Sequence, residues 1–189
     1  MMCGVIIIAP TFIPIFLGRG FEPSIKIMQI LSPIILFIGL GGIIGSQYLL
    51  PTQRQKQYTT AVIIGAITNV ILNSILIKII GAQGAAIATV FAEASCACVQ
   101  IYFVRKEFDF KKILKKAIRY MLVSLIMMFF CMLIKLLINN WNNIYILAVQ
   151  VVVGALTYII MLLLSRDELL EIALKKILPI LKMSKNRGD

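Results

Sequence analysis

Thr68–Gln100 reads TNVILNSILIKIIGAQGAAIATVFAEASCACVQ. Two apolar runs of helical length meet at a short Gly-Ala turn. Asn69 and Asn73 are four residues apart and so share one face of a helix. Glu93 stands near the middle of the second run, flanked by apolar and small residues. A lone carboxylate inside an apolar span costs about 2.5–3.5 kcal/mol on insertion scales, so it should face protein or a water-filled cavity. The pattern predicts a polytopic membrane protein with a polar interior.

Composition agrees with this reading. Mean hydropathy is +0.97, and 60% of residues are hydrophobic while 14% are charged. Soluble domains hold about 45–50% apolar and about 25% charged residues. A soluble core of 189 residues could not hide the excess. Six spans are read, at about 2–17, 25–49, 58–80, 83–104, 118–138 and 144–164, since about 20 apolar residues cross a bilayer as helix. The first is short, carries Pro10 and Pro14, and begins without a polar flank, as a helix cut short would. Pro33 should kink the second.

Charge sets an orientation. Net charge is +11, and all but Arg19, Lys26, Lys78 and Lys135 of the 19 Lys and Arg fall on one side. They occupy 50–57, 105–117 with Arg119, and the tail after Leu164. Basic loops stay cytoplasmic, which puts the C-terminus inside. Anionic headgroups are nearer partners for these charges than nucleic acid, and no nucleic-acid partner is expected. The tail opens on a capping box, Ser165 to Glu168. It continues as an amphipathic helix suited to the inner leaflet, and 105–117 reads the same way. Trp141 and Tyr145 sit where interfacial rings are favoured.

Metal and catalytic chemistry find little support. There is no His. The four cysteines, Cys3, Cys96, Cys98 and Cys131, all lie in apolar runs, as small packing residues do. No nucleophile elbow, phosphate loop or metal-ligand cluster is present, so neither an enzyme nor a cofactor is expected. GLGGIIG (Gly39–Gly45) lacks the dinucleotide spacing and a preceding strand. Its Gly39, Gly42 and Ser46 predict a stripe for close helix packing. Along 83–104, Ala82, Ala85, Ala86, Thr89, Glu93, Cys96, Ala97 and Gln100 form a small and polar face, opposite Gly65, Asn69 and Asn73. Asn69, Asn73, Thr89, Glu93 and Gln100 are therefore the candidate site. They are either an interhelical polar lock or a substrate and ion path. If Glu93 is a lock bonded to an Asn, removing its polar head should lower abundance.

Several motifs carry a family resemblance. FLG (Phe16–Gly18) precedes an apolar helix ending in QYLLPTQRQKQY (Gln47–Tyr58), then Asn69-x-x-x-Asn73 and GAQGAAIATVFAE (Gly81–Glu93). This order resembles the polysaccharide-biosynthesis, O-antigen-type flippases of the multidrug/oligosaccharidyl-lipid/polysaccharide exporter superfamily. The resemblance implies an all-α integral membrane bundle of about six transmembrane helices, the C-terminal part of a MATE-like flippase fold. It implies 1–104 as the last four helices of a C-terminal lobe, with the first truncated. Then follow a basic cytoplasmic loop at 105–117, two accessory helices at 118–164, and a cytoplasmic amphipathic tail at 165–189. The implied partners are the lipid bilayer of a bacterial cytoplasmic membrane, a lipid-linked oligosaccharide, and a missing N-terminal lobe. A cation-coupled multidrug exporter and a non-transporting subunit or remnant are the rival readings.

Overall fold

A computed structural model describes residues 1–18, 20–137 and 143–164. The tail helix read at 165–189, and Arg19 and Trp141, lie outside the described residues. All regular structure described is helical: α1 (Met2–Phe16), α2 (Pro23–Leu31), α3 (Ile34–Gly41), a π-helical segment (Gly42–Leu49), α4 (Gln55–Val104), α5 (Phe110–Leu137) and α6 (Asn143–Leu164). Pro23 to Leu49 makes one 27-residue apolar run, long enough to cross a membrane.

Helix α4 cannot be one span. Fifty residues would measure about 75 Å as a straight helix, against a hydrocarbon core of about 30 Å. The chain reverses at Ile80 (φ −131°, ψ 17°) and Gly81 (φ 59°, ψ −135°). The Gly81 conformation is one that a Cβ forbids. Two antiparallel arms result, 55–79 and 82–104. A Cβ placed on Gly84 would lie 2.2 Å from the Leu76 carbonyl oxygen, and one on Gly65 would lie 3.0 Å from Cys96 Cβ. Ala61, Ala88 and Ala92 are buried in the same hairpin. Small side chains let the backbones approach closely, which is how helices gain packing where lipid is as apolar as they are.

Pro10, Pro14 and Pro33 each free a carbonyl inside the apolar layer, and side chains re-satisfy those freed by Pro10 and Pro33. Pro10 has no N–H for the Ile6 carbonyl, and Gln29 Nε2 donates to that oxygen at 3.0 Å. Pro33 likewise leaves the Gln29 carbonyl, and Ser32 Oγ donates to it at 2.8 Å. Gln29 therefore ties α2 to α1 at a place where water is not available. Gln29→Leu should destabilise the chain by about 1–3 kcal/mol, the cost of an orphaned buried carbonyl. Pro10→Ala supplies the missing N–H and should recover much of the loss. Thermal unfolding in detergent checks both.

Helices α5 and α6 pack on each other and meet the rest mainly through α1. Cys3 of α1 joins Met127 and Cys131 of α5 in a small core, with Tyr158 of α6 against it. All four cysteines are free. Helix α5 begins at Phe110, inside the 105–117 stretch read as a basic loop with an amphipathic pattern. Nothing between 110 and 137 breaks a helix, and its Lys, Leu, Met and Ala residues favour one. At 100° per residue, positions 111, 112, 115, 116 and 119 fall on one side of its first turns.

The predicted stripe of Gly39, Gly42 and Ser46 is corrected. Gly39 and Gly42 have no packing neighbour, whereas a Cβ on Gly45 would lie 2.8 Å from the Tyr58 ring and 2.9 Å from Gln100 Nε2. Gly41 and Gly45 pack on the arms of α4, while Gly42 and Ser46 border a cleft rather than a packed helix.

Below this contact the basic end is fastened. The Tyr48 hydroxyl donates to Glu107 Oε2, and Arg54 Nη1 meets Glu107 Oε1 at 2.5 Å. Phe108 presents an edge-to-face contact to Tyr48, with centroids 4.9 Å apart. The Tyr48 hydrogen bond, and then that from Arg54, hold the Glu107 carboxyl below its ordinary range. A depressed carboxylate pKa means that this contribution is present at neutral pH and fades as pH falls through the lowered value.

Candidate functional site

A cleft of about 700 Å³ lies between α3, the π-helical segment and both arms of α4. Each wall is a helical repeat. Tyr58, Val62, Gly65 and Asn69 line it from the first arm, and Glu93, Cys96 and Gln100 from the second. The spacings i, i+4, i+7, i+11 and i, i+3, i+7 are those of single helix faces. Gly42 and Ser46 complete the third wall.

The structure brings Asn69, Glu93 and Gln100 to this cleft and leaves Asn73 and Thr89 out of its lining. Asn73 Nδ2 donates to Asn69 Oδ1 at 2.7 Å, the i,i+4 pair expected from their spacing. Thr89 Oγ1 donates to the Ala85 carbonyl of its own helix at 2.8 Å. Glu93 makes no hydrogen bond or ion pair among the described residues. Gln100 is 2% exposed. Its Nε2 reaches only Cys96 Sγ, at 3.7 Å, and its Oε1 has no partner among the described residues.

Tyr58 and Ser46 belong to the cleft and were not among the candidates. Tyr58 stands eleven residues before Asn69, three turns along the same face, and that spacing could have found it. Ser46 was read only as packing.

The charge of the cleft is one-sided. It offers one carboxylate beside amides and hydroxyls that both donate and accept, and no Lys or Arg lines it. Such a lining can exchange hydrogen bonds with hydroxyl and amide groups and offers no cation to an anion. No group of three or more metal-ligating side chains is found among the described residues.

Comparison with known proteins adds one finding. The chain is similar to a solved structure of the lipid II flippase MurJ in an inward closed conformation, with TM-score 0.72 and 26% identity. The likeness covers 88% of this chain and 35% of that one, so the chain spans about a third of that flippase's length. No protein-family model matches the chain, and no curated protein does. The fold is thus an all-α membrane fold of the flippase kind, and the matched protein is a transporter rather than an enzyme. The likeness supports a place among flippases and does not single out the O-antigen branch.

Proposed function

We propose that this chain is the C-terminal part of a flippase that moves a lipid-linked oligosaccharide across the bacterial cytoplasmic membrane. The lipid carrier is undecaprenyl diphosphate, the cargo is a surface-polysaccharide repeat unit, and transport runs by alternating access. The observation that carries this reading is a cleft of about 700 Å³, lined by Ser46, Tyr58, Asn69, Glu93 and Gln100, set inside a flippase-like helical fold. Sugar hydroxyls donate hydrogen bonds to such a surface. The cleft presents no Lys or Arg to the diphosphate. The lipid tail stays in the bilayer. The basic end faces the cytoplasm, because basic loops are retained there.

Complementation tests the proposal. In a strain lacking its polysaccharide flippase, the 189-residue chain alone should restore no surface polysaccharide. The chain joined to a first lobe should restore it. Full restoration by the chain alone would show that a first lobe is not required.

A further inference from the structure

Toward its basic end the cleft borders an apolar cluster. Below Gln100 and Tyr58 lies an apolar plug of Ile44, Leu49 and Val104, 7%, 0% and 0% exposed. Tyr48, Tyr58 and Ile101 pack around it. The plug is built from both the π-helical segment and the second arm of α4, so it exists only while these two stay together. Nothing covalent holds them at this end. The Tyr48–Glu107 and Arg54–Glu107 contacts span 59 and 53 residues of chain.

We propose that Tyr48, Arg54 and Glu107 form a releasable clasp that keeps the plug seated and so shuts the cleft from the basic side. The inference deepens the reading of the cleft as a transport path, and rests on it for its purpose. Three observations carry it. Glu107 is the shared acceptor, taking the Tyr48 hydroxyl on one oxygen and Arg54 on the other. The partners belong to the end of the π-helical segment, the turn after it, and the loop after α4. One carboxylate therefore staples three segments. Second, the clasp is built to open. The Arg54 and Glu107 side chains are 36% and 31% exposed, and ion pairs so placed contribute little against water. Third, Tyr48 sits on a π-helix, a rare form that occurs frequently at functional sites. Gly45, wedged against Tyr58 and Gln100 on that segment, supplies a pivot one turn above Tyr48.

The test reads access to Cys96, which lines the cleft. A chain with Cys96 as its sole cysteine (Cys3→Ala, Cys98→Ala, Cys131→Ala) is placed in everted membrane vesicles. It is then treated with a membrane-impermeant maleimide, which cannot enter through lipid at the open side of the cleft. Labelling from the basic side should be slow in the parent. It should rise about tenfold in Glu107→Gln, the loss of two charge-assisted hydrogen bonds, and less in Tyr48→Phe. The swap Arg54→Glu with Glu107→Arg should bring it back down. Labelling from the opposite side should not change. If Glu107→Gln does not reach the membrane, Tyr48→Phe, which removes a single oxygen, decides the matter. Parent-rate labelling in the variants at parent abundance would overturn the clasp. The readout needs no transport. Faster labelling in a lobe-restored protein that exports nothing would keep the clasp and reject the path reading.

Discussion

Gly84→Leu should all but remove the folded chain from the membrane. A Cβ at this position meets the Leu76 carbonyl oxygen at 2.2 Å, and that neighbour is backbone, which cannot swing aside as a side chain would. The two arms of α4 must separate near their turn. Overpacking costs about 1–3 kcal/mol and occasionally more, and the rigid neighbour puts this case at the upper end. About 3 kcal/mol corresponds to a fall in melting temperature of about 6–12 °C for a chain of this size. Gly84→Ala should show the same defect in milder form. Gly39→Ala is the control, because no atom lies within 4 Å of its added Cβ, and Ala in a helix interior gains up to about 1 kcal/mol over Gly. Melting in detergent separates the three. A Gly84→Leu chain as stable as the parent would show that the hairpin is not packed as described.

Glu93→Gln should keep its abundance and lose export by tenfold or more in the lobe-restored protein. The carboxylate lines the cleft without a hydrogen bond or ion pair among the described residues. Its removal orphans no neighbour, so the usual destabilisation from a broken buried network does not arise. Placing the charge in an apolar span costs about 2.5–3.5 kcal/mol, which Gln largely avoids. Glu93→Leu should also accumulate normally. From sequence alone, a lock between Glu93 and an Asn predicts the opposite for Leu. The structure redirects that expectation because Asn73 is turned to Asn69 instead. Loss of abundance in Glu93→Leu, with normal export in Glu93→Gln, would restore the lock.

The spans were legible because lipid imposes a length, about 20 apolar residues, that the chain spells out plainly. The break at Ile80–Gly81 was legible from Gly81-Ala-Gln-Gly84, and the Asn69–Asn73 pair from its spacing. Other features depend on contacts the sequence does not pair. The π-helical segment has no residue signature. Its Gly41–Gly45 side, rather than the predicted Gly39–Gly42–Ser46 stripe, meets α4 because Tyr58 and Gln100 happen to fill the space there. Gln29 reads as one polar residue in an apolar run until its partner is known to be the carbonyl freed by Pro10. The clasp joins residues more than fifty positions apart, and Glu107 in sequence is one of two acids, with Asp109, in a basic stretch.

The central proposal is that this chain supplies part of a path for a lipid-linked oligosaccharide. Reconstitution measures it most directly. The chain joined to a first lobe is placed in liposomes loaded on both leaflets with undecaprenyl-diphosphate oligosaccharide carrying a fluorophore on its sugar. A membrane-impermeant quencher then reports how much reaches the outer leaflet. The account predicts quenching beyond the outer-leaflet fraction for the joined protein, and quenching limited to that fraction for its Glu93→Gln variant. Quenching that stays at the outer-leaflet fraction for a well-folded joined protein would contradict it.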